Sequence, residues 1–250
     1  MDLFEDTNAM RFADFTDFEW TTGGASMRGY RAGEGPPLLL LHGHAQTAQL
    51  WESIAGRLAE RHAIVVLDID FEGTRATRAA ASAPHESHAS VPRHGASSQG
   101  ARDIAADCAA LMDALGFAQF MICGHDTGAR VAQRLALDYG GRIDRIMVLD
   151  TAPALPADAD RLVESDDRGD PERDERERTR ANLERGQKIA CPVRVLWAAR
   201  ADWPIVPIES WKQIARDTSG RALECEPCIP ERAPDALLDE MSRFFDTRAC

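Results

Sequence analysis

Gly124-His125-Asp126-Thr127-Gly128 lies between the apolar run Phe120-Met121-Ile122-Cys123 and the helix-like stretch Arg130 to Asp138. That order predicts a strand, a turn too tight for most side chains, and a helix. It restricts the chain to folds in which a parallel strand feeds a helix that packs back on the sheet. Glycines at both ends of the pentapeptide let the backbone bend sharply, so its central side chain stands exposed on a strained corner, as in G-x-S-x-G elbows. Here the central residue is Asp126. A carboxylate there suits a nucleophile that attacks carbon, where a serine would attack an ester.

The rest of the chain repeats the same alternation. Pro36 to Leu41, Ile64 to Leu67, Ile146 to Leu149 and Val193 to Trp197 are short apolar runs without a polar face, as expected for parallel strands covered on both sides. Between them, Leu50, Trp51, Ile54 and Leu58 share one helical face, and Ile104, Cys108, Leu111, Met112 and Leu115 share another. A third stripe starts at Val131, Ala132 and Leu135 and ends at Gly140-Gly141, and Leu237, Leu238, Met241, Phe244 and Phe245 form the last. The expected class is α/β, a doubly wound, mostly parallel sheet with helices on both faces. Phe15 to Thr21 and Met27 to Arg31, separated by Gly23-Gly24, predict an antiparallel hairpin at the sheet edge.

Two segments break the rhythm. Residues 72–98 are rich in Ala, Ser, His and Pro and predict a long surface loop; His85, His88 and His94 within it have no helix to fix a metal-binding spacing, so they read as solvated. Residues 154–187 are dense in charge of both signs. Within them Asp170-Pro171 has the form of a helix start, N-cap then Pro at N1, and Gly186 that of a helix end. Having so few apolar residues, that helix is expected to lie solvated on the surface. The domain reading is one core made of residues 1–153 and 188–250, with 154–187 as a charged insertion.

Composition excludes several functions. A net charge of −12 argues against nucleic acid and anionic membranes as partners. No stretch reaches the ~18 unbroken apolar residues of a membrane span. The acidic start, Met1 to Asp6, is unlike a secretory signal. The six cysteines read as reduced thiols in a cytoplasmic setting, and Cys225-Glu226-Pro227-Cys228 lacks the second pair or histidine that a zinc site needs. No metal or cofactor is implied, and the expected partner is a small organic substrate or ligand.

Taken together, Leu38 to Gln46 (LLLLHGHAQ), Gly124 to Arg130 (GHDTGAR), Leu149 to Pro153 (LDTAP) and Lys188 to Trp197 (KIACPVRVLW) resemble the α/β-hydrolase fold. More narrowly they resemble its haloacetate (fluoroacetate) dehalogenase branch, close to haloalkane dehalogenases and epoxide hydrolases. The resemblance implies Asp126 as nucleophile, an oxyanion hole from the backbone N–H groups of His44 and Thr127, and Asp150 as the acid that orients a histidine base. Asp150 can also be read as a cap for the following turn, and Asp202 stands where other α/β-hydrolases carry the acid. Arg130 keeps one of two arginines that clamp a carboxylate in this branch; Thr127 replaces the other.

The base is missing from the pattern. Flanking residues put Pro227 where the imidazole belongs, and no histidine follows His125. His44, in place of the usual aromatic of the oxyanion loop, is a substitute base or a pocket wall, whereas His125 reads as packing beneath the turn. The branch also carries a helical cap between Pro153 and Lys188, and here that interval holds no aromatic residue. The cap is therefore expected to be largely deleted. Epoxide opening would need acidic tyrosines from it, whereas Tyr30 and Tyr139 fall in a strand and at a helix end. Two functions remain: a dehalogenase-like hydrolase with impaired turnover, and a catalytically dead relative that binds a small ligand or partner.

Overall fold

The computed structural model describes residues 12–22, 25–69, 100–155 and 171–246. The expected loop with its three histidines, the residues 1–6, Asp170 and Cys250 lie outside them. The described residues form eight strands: β1 (Thr16–Thr22), β2 (Ala25–Ala32), β3 (Pro37–Leu41), β4 (Ala63–Asp68), β5 (Phe120–His125), β6 (Ile143–Leu149), β7 (Val193–Ala198) and β8 (Thr218–Leu223). They also form seven α-helices: α1 (Glu52–Ala59), α2 (Ala101–Ala114), α3 (Thr127–Asp138), α4 (Pro171–Glu184), α5 (Pro207–Ile214), α6 (Ile229–Arg232) and α7 (Pro234–Phe245).

One sheet holds all eight strands in the order β1-β2-β4-β3-β5-β6-β7-β8. The β1–β2 and β2–β4 pairs are antiparallel and the rest are parallel. The order reverses between β3 and β5, the crevice where ligands collect in open α/β sheets. The hairpin is at the edge, as its glycines suggested.

Both faces of the central strands are buried, which is why their sequences do not alternate. In β3, Leu39 and Leu41 pack with Ile104, Leu111, Val131 and Leu135 under α2 and α3. Leu38 and Leu40 pack with Ile54, Leu58, Leu237 and Met241 on the side of α1 and α7. All four leucines are fully buried, each contributing roughly 1.5–3 kcal/mol.

Two elements carry no apolar-run signal. In β8 (TSGRAL) exposed residues alternate with half-buried ones because it is an edge strand. Its Gly220 is needed for close approach: a Cβ there would sit 2.2 Å from the Val195 carbonyl oxygen. Helix α5 is short, opens on Pro207 and buries chiefly Trp211 and Ile214.

Helix α4 differs from the solvated helix expected of its composition. Glu175, Thr179 and Asn182 are buried against α3. Arg134 Nη2 is 3.2 Å from Glu175 Oε1, Arg134 Nη1 donates to Asn182 Oδ1 at 3.2 Å and Gln133 Nε2 to Thr179 Oγ1 at 3.1 Å. The buried face is polar and held by these contacts, so a count of apolar residues misses it. Burial pushes the Glu175 carboxyl above its usual range, with Arg134 and other arginines, Arg130 included, opposing the rise. Gly186 follows the helix at φ +68, as the end signal implied.

Candidate active site

The elbow is present. β5 runs straight into α3 through Asp126, whose φ of 48° and ψ of −117° lie outside the regions favoured by L-residues. Such a conformation costs about 1–3 kcal/mol and persists only where the surroundings impose it. Asp126 N–H donates to Leu149 O at 3.1 Å, tying the corner to β6. Glycines are required on either side. A Cβ on Gly124 would lie 2.5 Å from Gly128 O, and one on Gly128 2.5 Å from both Leu41 O and His42 O.

The turn after β3 faces this corner. His44 N–H donates to Asp126 Oδ2 at 3.2 Å, the backbone donor that the sequence pattern implies. Thr127 also bonds that oxygen, through its hydroxyl at 3.3 Å, where the pattern implied its N–H. One carboxylate oxygen of Asp126 is thus held by two donors. A Cβ on Gly43 would fall 2.8 Å from Asp126 Cβ and 2.9 Å from Oδ2, so the approach of the two loops depends on that glycine. Beneath it the imidazole of His42 is fully buried. Its Nε2 accepts from Ile69 N–H at 2.9 Å, so Nδ1 carries the hydrogen and donates to Gly43 O at 2.7 Å. The His44 side chain is exposed.

Asp150 also has positive φ, 51°, and its side chain is nearly buried. Its Oδ1 accepts from Ala198 N–H at 2.8 Å. Its Oδ2 accepts from Cys228 N–H at 3.0 Å and Ile229 N–H at 2.9 Å. The acid therefore clamps the end of β7 to the start of α6, next to the place where an orienting acid would hold a histidine. Pro227 is exposed and Cys228 follows it in a left-handed conformation, φ 78° and ψ 62°. Burial, then the charge of Glu231, push the Cys228 thiol up to about 11, which keeps it protonated and poorly nucleophilic. Cys225 and Cys228 are both free thiols. Asp202 is exposed in the turn after β7.

The imidazole near Asp150 comes from His125, 3.4 Å from Asp150 Oδ2 through Nε2. That distance permits an ion pair, but the alignment leaves Nε2 without a hydrogen bond. Nδ1 of the same ring is 2.9 Å from Gln46 Oε1. The sequence alone puts His125 beneath the turn without a partner and assigns Gln46 no role. The available signal was local: Gln46 follows Gly43 by three residues, the spacing at which a side-chain amide can close a turn. Arg130 stands one turn into α3, on the stripe that continues to Arg134 and Asp138. Tyr30 stacks on Phe12 in the edge hairpin, and Tyr139 ends α3.

A strand-elbow-helix with a partly exposed acidic tip, opposed by an N–H-donating turn after β3, defines a protein of the α/β-hydrolase class. The chain belongs to the α/β-hydrolase fold family, whose model matches residues 36–188. Over 52% of its length it is 34% identical to a fluoroacetate dehalogenase of Burkholderia sp.. Over an equal share, 52%, it is 30% identical to a soluble epoxide hydrolase of Corynebacterium sp. (strain C12). These matches span 40% and 42% of those two relatives. Among solved structures, a variant of a candidate epoxide hydrolase from Pseudomonas aeruginosa superimposes with a TM-score of 0.77 at 26% identity, covering 95% of this chain and 98% of that one. Among the described residues no helix is long and apolar enough to cross a membrane.

Proposed function

We propose that this α/β-hydrolase uses Asp126 to displace halide from a small haloacid-like substrate, and that release of the product is slow. The observation that carries the reading is the strained Asp126 carboxylate with Oδ2 held by His44 and Thr127. With Oδ2 fixed, Oδ1 attacks the carbon that bears the halogen. A C–O ester bond forms, the C–X bond breaks, and halide leaves with the bonding electron pair. Arg130, one turn along α3, is the cation assigned to a substrate carboxylate.

Hydrolysis of that ester adds water to Asp126 Cγ and places negative charge on Oδ2. His44 N–H and the Thr127 hydroxyl already point at this oxygen. One such donor is typically worth about 3–4 kcal/mol in the transition state. The attacking water must still lose a proton, and general base catalysis supplies roughly 10²–10⁴-fold at such a step. Pro227 cannot accept it. In this reading alkylation survives and deacylation is limiting. In this reading the interval between Pro153 and Lys188 is too short for a full helical cap, which exposes the displacement to more water than a carboxylate nucleophile prefers.

A second reading, that the protein only holds a small ligand, is favoured by Asp150, whose oxygens are occupied by three backbone N–H groups. Intact-mass measurement after incubation with fluoroacetate and chloroacetate separates the two. A single carboxymethyl adduct on Asp126, accumulating faster than glycolate appears, is expected. No adduct and no glycolate would favour the binding protein, and rapid glycolate release without an adduct would refute slow deacylation.

A further inference from the structure

We propose that Gln46 is a positioning residue that fixes the oxyanion turn and the hydrogen on His125, so linking the Asp126 and Asp150 halves of the site where Pro227 replaces the usual histidine. The geometry determines which way its amide faces. Oε1 accepts from Gly43 N–H at 2.9 Å, and Nε2 reaches Cys228 Sγ at 3.5 Å. With the oxygen so placed, His125 Nδ1, 2.9 Å from it, must be the donating N–H.

Three segments distant in sequence meet at this one amide. Gly43 precedes the His44 N–H that holds Asp126. His125 precedes Asp126 and turns Nε2 toward Asp150. Cys228 lies in the loop whose N–H groups Asp150 accepts. His42 fixes the Gly43 carbonyl from below while Gln46 takes its N–H, so the peptides on both sides of Gly43 are constrained before any substrate arrives. Such preorganisation lets a donor stabilise developing charge without reorienting.

The relay rests on the proposed function only for its effect on alkylation; the location of the His125 hydrogen is independent of it. Long-range ¹H–¹⁵N correlation at pH 8 should find the His125 hydrogen on Nδ1 in the native protein. Gln46→Leu removes the acceptor at similar volume and should move that hydrogen to Nε2. Gln46→Glu keeps an acceptor and should retain it on Nδ1. A ring protonated only at Nε2 in the native protein, or one unchanged in Gln46→Leu, overturns the proposal; a side chain that merely packed would leave the hydrogen in place. Adduct formation on Asp126 should fall at least about tenfold in Gln46→Leu and recover in Gln46→Glu. A native protein that forms no adduct defeats the alkylation reading, while the nitrogen signals still decide the relay. An unfolded Gln46→Leu leaves the native and Gln46→Glu spectra to decide it.

Discussion

Removing the Asp150 carboxylate tests whether it now serves chiefly as a backbone clamp. In Asp150→Ala, the N–H groups of Ala198, Cys228 and Ile229 lose acceptors now at 2.8, 3.0 and 2.9 Å. Each buried donor left without a partner costs about 1–3 kcal/mol. Cys228 is only half-buried, so water can reach part of the gap, and the three losses overlap in one loop. The expected destabilisation is therefore about 3–5 kcal/mol, below the simple sum. With a urea dependence of about 2–3 kcal/mol/M, the midpoint should fall by roughly 1–2.5 M. Asp150→Asn can keep an oxygen toward Cys228 and Ile229 but turns its amide against Ala198 N–H, so it should cost about 1.5–3 kcal/mol. Equilibrium urea unfolding followed by tryptophan fluorescence measures both. If Asp150→Ala lies within about 1 kcal/mol of the parent, the three bonds do not hold the loop and the clamp argument fails. A clamp also predicts that folded Asp150→Asn alkylates Asp126 within a few-fold of the parent rate, because its carboxylate takes no part in that step.

Asp126→Asn should abolish the haloacetate adduct and leave the urea midpoint nearly unchanged; an adduct of the same mass in this variant would place the nucleophile elsewhere. Glu226→Gly combined with Pro227→His restores the missing imidazole and should raise glycolate release from chloroacetate above that of the parent. No gain over the parent in a folded double variant would shift the explanation away from the missing imidazole. Burial alone would raise the Glu240 carboxyl, but hydrogen bonds and charge from Arg194 and Arg221 outweigh it and hold the group below its usual value of 4.5. A depressed carboxyl contributes stability above the unfolded value that is lost as pH falls through the folded one. Glu240→Gln should accordingly be less stable than the parent at pH 7, with the gap closing below the ordinary carboxylate range. A gap that persists undiminished in acid, by urea titration at each pH, would contradict this.

Elements were legible wherever both faces of a strand or one stripe of a helix are apolar. β3, β4, β5, β6 and β7 fall where the runs predicted. β8 was invisible because an edge strand needs only one covered side, and α4 hid its packing because Glu175, Thr179 and Asn182 pair with Arg134 and Gln133 where apolar contacts are usual. At the site, Asp126 and its glycines were readable because the turn demands those residue types. The Asp150 bonds were not, since backbone N–H groups leave no trace in side-chain identity. Nor was the His125–Gln46 contact, which spans 79 positions.

The surroundings of Asp150 give physical content to the loss of the histidine. An acid that orients an imidazole spends one oxygen on the ring; here Oδ2 instead takes the N–H groups of Cys228 and Ile229. Positive φ at Cys228 aims its N–H inward, a conformation unfavourable for a non-glycine residue and therefore sustained by what it bonds. The single change Pro227→His would leave that clamp intact and the new ring competing for an occupied oxygen. This is why the rescue adds Glu226→Gly, which loosens the backbone just before the proline position. If Pro227→His by itself raised glycolate release as much as the double change, Asp150 would have a lone pair free for the ring, and the clamp would not be what limits a restored imidazole.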